Sequence, residues 1–283
     1  MKQFAETSGA AVVTVKVGPA PHIALDVAGS GPLAVFLHGI GGNRTNWRDQ
    51  LPVFAKRFTA VAWDARGYGE SDDYSGALKF EDFSADLERV LDHFGVADAH
   101  VIGLSMGGRI ALDFTGRRPG RVRSLTLVDT GAGRKPGDPA ELERFLALRK
   151  KPILDGRSPA EIAEGVAQTL AGDSITPDAY QRLVESLSRL HPESYLKTMD
   201  TVTRYDGYPA FETIERPTLV VVGDEDRIAP PDWARRMADS IPGAALKVIE
   251  RAGHISNIEA PEAFNAAVLE FLERVEAGSS NAA

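Results

Sequence analysis

The sequence predicts an α/β fold: a mostly parallel sheet of eight strands flanked by helices, with one inserted helical segment. Three observations carry this. Short, near-continuously apolar runs alternate with amphipathic segments through the first half of the chain, as strands covered on both faces by helices require. The same alternation resumes after Pro217. Between the two halves no apolar run reads as a strand, and proline-led runs of helix formers take over.

Residues 12–17 and 23–28 read as the first two strands, separated by the turn signal Gly18-Pro19. Residues 33–37, after Gly31-Pro32, are a buried strand, and 59–63 the next. Phe83, Leu87, Val90, Leu91 and Phe94 fall at helical spacing, which predicts a helix over 83–94. A strand over 100–104 leads into a helix over 106–117, and 125–128 is another strand. In the insert, 139–150, 159–170 and 177–190 each open with proline in the first turn of a helix. The final elements are a strand over 218–222, a helix over 232–240, a strand over 246–249 and an amphipathic helix over 261–275. The small, polar tail 278–283 is expected to be disordered. The domain reading is a core of 1–132 and 213–283 with a helical cap of 133–212.

A chain of 283 residues, 43% hydrophobic and 25% charged, can bury the core that such a sheet needs. A net charge of −8 works against general binding to nucleic acid or to an anionic membrane, and neither is expected as a partner. The absence of cysteine excludes disulfides, thiolate metal sites and a cysteine nucleophile. Residues 1–11 lack the basic and apolar regions of a signal peptide, and no apolar stretch approaches the ~20 residues that span a bilayer. The expected location is cytoplasmic. Homo-oligomerisation stays open.

Residues 101–108, Val-Ile-Gly-Leu-Ser-Met-Gly-Gly, place G-x-S-x-G between a predicted strand and a predicted helix. A serine in so sharp a turn is strained, and glycines two residues to either side relieve collisions with neighbouring backbone. The turn lifts the Ser105 hydroxyl clear of the sheet and puts the Met106 N–H at a helix start, where negative charge is favoured. An ordinary glycine-rich phosphate loop is the bland alternative, but no lysine follows at the required position. A second glycine-rich turn, His38-Gly39-Ile40-Gly41-Gly42, follows the strand 33–37. The expected oxyanion hole pairs the N–H groups of Ile40 and Met106, with Gly41 as the alternative to Ile40. His38 is expected to brace this loop by hydrogen bonding.

Asp226 lies in a G-x-x-D-x-x-x-P loop after a late strand, and His254 follows Gly253 between the last strand and the last helix. The chain order Ser, Asp, His fits a nucleophile, an orienting acid and a general base. Asp129, at the end of the strand 125–128, competes with Asp226 for the acid's place. Asp224 and Glu225 are expected to shape the turn or face solvent. The other histidines, His22, His93, His100 and His191, read as surface or structural residues.

Taken with Asp64-Ala65-Arg66-Gly67-Tyr68-Gly69-Glu70-Ser71, these segments resemble the α/β-hydrolase superfamily over nearly the whole chain outside the insert. Asp64, Arg66 and Ser71 are expected to brace their loop. Gly-Leu-Ser-Met-Gly-Gly and Asn46-Trp47-x-x-Gln50 are similar to 3-oxoadipate enol-lactonases and small carboxylesterases. The departure is that Trp47, Trp63 and Trp233 all lie outside the insert, where enol-lactonases tend to carry an aromatic residue against the ring. The resemblance implies a serine hydrolase that needs no cofactor or metal and acts on a small-molecule ester or lactone through an acyl-enzyme on Ser105. Superfamily members that dehalogenate haloalkanes or open epoxides use aspartate as nucleophile, and serine at 105 points to acyl chemistry instead. Two alternatives remain: carbon–carbon bond hydrolysis of a vinylogous diketone, and a ligand receptor without turnover. Arg134, Lys135, Arg149, Lys150 and Lys151 could attract a substrate carboxylate, although a solvated helix face explains them more simply. Among Tyr180, Tyr195, Tyr205, Tyr208 and Phe211, some could line a pocket and most should be core.

Overall fold

Apolar side chains that alternate between two faces, both covered, account for the central strands. In β3 (Leu33–Leu37), Leu33, Val35 and Leu37 join one buried cluster, while Ala34 and Phe36 join the other. The computed structural model describes residues 11–131 and 139–280. Its sheet contains β1 (Val13–Val17), β2 (Ile23–Ala28), β3, β4 (Thr59–Trp63), β5 (Ala99–Leu104), β6 (Val122–Val128), β7 (Thr218–Gly223) and β8 (Ala245–Ile249). Their spatial order is β1-β2-β4-β3-β5-β6-β7-β8. β2 pairs antiparallel with β1 and with β4, and every later pairing is parallel, with Leu37 opposite Gly103 and Leu104 opposite Val128. The C-terminal ends of β3, β5, β6 and β7 therefore meet along one edge, where loops can converge.

The flanking helices of the first half are α1 (Leu51–Phe54), α2 (Glu81–Phe94) and α3 (Met106–Arg117). The insert carries α4 (Pro139–Leu154), α5 (Pro159–Leu170), α6 (Pro177–Ser188) and α7 (Pro192–Arg204). The last helices are α8 (Pro231–Ser240), α9 (Ser256–Glu259) and α10 (Pro261–Ser280). One face of the sheet buries Phe83 and Leu87 of α2 and Ile110 and Phe114 of α3. The other buries Trp47, Phe54, Phe264 and Phe271. α5 begins with a capping box in which Ser158 and Glu161 bond each other's backbone N–H.

The structure departs from the sequence reading at a few elements. α7 was not anticipated, although Pro192 stands in its first turn as in the other insert helices. β6 starts three residues early, because Val122 and Ser124 are buried as well. α4 runs on past Lys150 to Leu154. α10 continues through Ser280, so 278–280 are helical; residues 281–283 lie outside the described residues.

Candidate active site

Ser105 occupies the single residue between β5 and α3, at φ 51 and ψ −108. Such a backbone costs about 1–3 kcal/mol and persists only where its surroundings hold it. Here the Ser105 N–H donates to the Val128 carbonyl at 2.8 Å, and the Thr130 hydroxyl donates to the Ser105 carbonyl at 2.8 Å. The two glycines of the turn are sites of close approach. A Cβ on Gly103 would stand 2.2 Å from the Gly107 carbonyl oxygen, and one on Gly107 would stand 2.1 Å from that of Leu37. Hydrogen alone lets α3 start against the ends of β5 and β3.

The imidazole of His254 meets this serine. The Ser105 hydroxyl donates to His254 Nε2 at 2.9 Å, and His254 Nδ1–H donates to Asp226 Oδ2 at 2.9 Å. Oδ1 of Asp226 accepts from the N–H groups of Ile228 at 2.8 Å and Ala229 at 2.9 Å, so the carboxylate is locked in its own loop. A carboxylate at Nδ1 fixes the tautomer that leaves Nε2 as an acceptor facing the hydroxyl. Burial opposes protonation of His254, but its hydrogen bond to Asp226 and the charges of Asp226, Asp129 and Glu259 outweigh it, and the pKa is raised. The histidine's backbone is held from the insert: its N–H donates to the Leu170 carbonyl at the end of α5 at 2.9 Å.

Asp129 takes a different place from Asp226. Its Oδ1 accepts from the Gly223 N–H at 2.9 Å, and its Oδ2 accepts from the Ser256 N–H at 2.9 Å and the Ser256 hydroxyl at 2.7 Å. Burial, then the charge of Asp226, pushes its carboxyl up to about 7. It ties the ends of β6 and β7 to the histidine loop. Asp224 and Glu225 reach out of their turn: Asp224, which is exposed, accepts from the Ala252 N–H in the loop after β8 at 3.3 Å, and Glu225 accepts from the Ser174 hydroxyl of the insert at 3.0 Å.

The loop after β3 lies against the serine, since a Cβ on Gly39 would come within 3.2 Å of the Ser105 Cβ. Ile40 and Met106 line the same cavity as Ser105. As the first residue of α3, Met106 has an N–H with no intrahelical acceptor. His38 braces the loop as expected: Nδ1–H donates to the Gly39 carbonyl at 2.8 Å and Nε2 accepts from the Ala65 N–H at 3.0 Å. Burial pushes its pKa down, which suits a neutral ring. Asp64 accepts from the N–H groups of Arg44 and Glu70, and the Ser71 hydroxyl donates to the Asp64 carbonyl. Arg66 pairs with Asp86 at 2.6 Å. Gln50 donates to Asn265 Oδ1 and to the Asn257 carbonyl, which pins the segment after the loop to α9 and α10.

Ser105 and His254 open into a cavity of about 700 Å³ walled by both the core and the insert. Tyr195, Tyr205 and Tyr208 line it, while Tyr180 and Phe211 do not. The insert has no tryptophan, but these three tyrosines give it aromatic groups in the wall, and Trp233 of α8 joins them from the core. Of the basic residues at the start of the insert, Arg149 lines it. Lys150 is engaged with Asp200 at 2.6 Å and Lys151 with Asp155 at 2.7 Å. Arg134 and Lys135 lie outside the described residues. Sequence reasoning missed three participants: Arg109 in the wall, Glu259 near His254, and the Leu170 carbonyl. A helix register counted from Ser105 points to Arg109, one turn on; nothing local marks the other two. Among the described residues no group of three His, Asp or Glu side chains is placed to hold a metal, and no helix is long and apolar enough to cross a membrane.

Residues 32–261 match the family model described as the alpha/beta hydrolase fold. The chain belongs to that family and is a hydrolase by class. It is 27% identical over 266 residues to 3-oxoadipate enol-lactonase 2 of Acinetobacter baylyi, covering 90% of this chain and 95% of the relative. A 2-hydroxy-6-oxononadienedioate/2-hydroxy-6-oxononatrienedioate hydrolase of Escherichia coli is 29% identical over 252 residues, covering 85% of this chain and 86% of that one. Among solved structures, a thermophilic esterase from Thermogutta terrifontis superposes with a TM-score of 0.82 at 29% identity, covering 94% of this chain and 99% of that one.

Proposed function

We propose that the protein hydrolyses a small carboxylic ester or lactone through an acyl-enzyme on Ser105. The observation that carries this is the unbroken relay from Asp226 through His254 to Ser105, each link 2.9 Å, opening on the cavity. The Ser105 oxygen attacks the carbonyl carbon as its proton passes to His254 Nε2. Negative charge on the former carbonyl oxygen is met by the N–H groups of Ile40 and Met106, which together supply several kcal/mol in such sites. The tetrahedral species collapses, and the imidazolium gives its proton to the departing oxygen. Water, deprotonated by the same histidine, then attacks the acyl carbon and restores the serine. Asp226 holds the ring and stabilises the imidazolium throughout. In this reading residues 133–212 cap the site and decide which acyl groups enter, and the absence of cysteine agrees with a cytoplasmic enzyme.

The enol-lactonase and esterase relatives support the ester or lactone reading. The Escherichia coli relative favours a second one, in which the same groups cleave a carbon–carbon bond. Turnover of 4-nitrophenyl acetate against a vinylogous diketone separates the two. A fluorophosphonate probe should label the wild type and not Ser105→Ala, and that variant should lose about 10⁴–10⁶ in kcat while staying folded. Wild-type turnover by Ser105→Ala would remove the serine from the mechanism.

A further inference from the structure

We propose that the cavity selects a substrate bearing a free carboxylate besides the reacting carbonyl, and that Arg109 reads it, with Arg149 strengthening the field. This deepens the ester and lactone reading and rests on it. Four arginines line the cavity, Arg109, Arg149, Arg204 and Arg227, and no aspartate or glutamate is among its described lining residues. The contrast is with the whole chain, which has 40 acidic against 32 basic residues. A cleft walled by one sign of charge concentrates ligands of the other.

Two of the four are neutralised. Arg204 pairs with Glu143 and Arg227 with Asp173. Arg109 and Arg149 have no carboxylate partner among the described residues. Arg109 is held by neutral acceptors, the carbonyls of Val202 at 3.0 Å and Gly131 at 3.3 Å. These bonds orient the guanidinium and bring no negative charge to it, so among the described residues its charge is uncompensated. Arg149 lies over the Phe145 ring at 5.6 Å and touches Thr169 at 3.4 Å. A guanidinium cannot shed its proton, so both half-buried groups stay cationic in the cavity wall. A ligand carboxylate supplies the counter-charge that the described residues of the wall do not.

Position selects between them. Arg109 follows Ser105 by four residues, about 6 Å along α3, so a carboxylate bound there lies a short spacer away from the carbonyl at Ser105. The leucines of the wall and Trp233 suit an apolar spacer. The substrate class is therefore a half-ester of a short dicarboxylic acid, or a lactone with a carboxylate side chain.

The test compares 4-nitrophenyl pentanoate with mono(4-nitrophenyl) glutarate, equal in carbon count, after subtraction of uncatalysed hydrolysis. Wild type should favour the anionic ester in kcat/KM by at least about tenfold at low salt, with the preference shrinking as salt rises. Arg109→Gln should lower the anionic-to-neutral ratio about tenfold or more, Arg109→Lys by less, and Arg149→Gln by a smaller factor with a flatter salt dependence. If Arg109 only pins Gly131 and Val202, its loss slows both esters equally and the ratio stays put, which overturns the proposal. A wild-type ratio near one does so too. A readout independent of turnover is the melting temperature of Ser105→Ala: glutarate should raise it and the uncharged glutaramide should not. Equal shifts, or none, refute the subsite. Failure of fluorophosphonate labelling would strike the serine mechanism instead, while the glutarate shift would still report on the arginines.

Discussion

Replacing Asp226 by asparagine keeps the shape of the side chain and reverses what it offers to His254. In the native loop Oδ1 accepts two backbone N–H groups, from Ile228 and Ala229, and Oδ2 accepts the imidazole N–H. An asparagine oxygen will stay with the two backbone donors, since turning the amide would place its NH₂ against both. The NH₂ then faces His254 Nδ1, which must become an acceptor. The ring's proton moves to Nε2 and confronts the Ser105 hydroxyl, and the base is lost. Misplacing that proton costs about 10⁴ in kcat in serine hydrolases, near 5 kcal/mol of barrier. The pH profile should change with a definite sign. Asp226 raises the His254 pKa by hydrogen bond and charge against the opposing effect of burial. Its removal therefore lowers that pKa and moves the acid limb of kcat/KM to lower pH. The assay is steady-state turnover of a nitrophenyl ester from pH 5 to 9, with circular dichroism to verify folding. A folded Asp226→Asn protein within about tenfold of wild type would refute the assignment and point to Asp129 as the orienting acid.

Further outcomes follow from the same geometry. Gly107→Ala must push α3 away from the Leu37 carbonyl and should cost about 2–4 kcal/mol in urea unfolding; a loss below about 0.5 kcal/mol would mean that the elbow has slack. A Cβ on Gly253 would stand 2.3 Å from the Gly172 nitrogen and 2.8 Å from the Leu170 oxygen, so Gly253→Ala should displace the His254 backbone and lower kcat at least about tenfold; unchanged kcat would show that the α5 contact does not position the histidine. His100 is buried between Ser124 and Glu276, and burial pushes its pKa down to about 4. The unfolded chain takes up a proton near pH 6.5 that the folded one refuses until about 4, so this residue withdraws stability, of order 1–3 kcal/mol, as pH falls through that window. The stability gap between wild type and His100→Asn should accordingly narrow or reverse between pH 7 and 4.5 by differential denaturation; a constant gap would place the titration elsewhere.

The sequence by itself determined the parts of this molecule whose cause is local. Burial on two covered faces makes β3 an unbroken apolar run and β4 and β5 nearly so, interrupted only by Thr59 and by His100 and Gly103, so these strands were legible to within a residue. The serine turn was legible because two glycines are demanded by contacts within a few residues or with one adjacent strand. Asp226 and His254 were legible as loop residues at the ends of late strands, and a parallel sheet gathers such ends. α7 escapes the sequence reading although Tyr195, Met199 and Val202 fall at helical spacing, because its buried face also carries the polar Ser194 and Thr198 and so reads as less apolar than it is.

Only the tertiary structure decided how far these groups stand from one another, and which of the two buried acids, Asp226 or Asp129, meets the imidazole. The choice turns on hydrogen bonds to Gly223 and Ser256, residues 94 and 127 positions from Asp129. It alone showed that α5 grips the backbone of His254, and that arginines scattered over three helices and a loop share one cavity with no acid among its described lining residues. Propensity and periodicity report on neighbours a few residues apart. Charge balance within a cavity is a property of groups brought together by the fold, and no local rule encodes it.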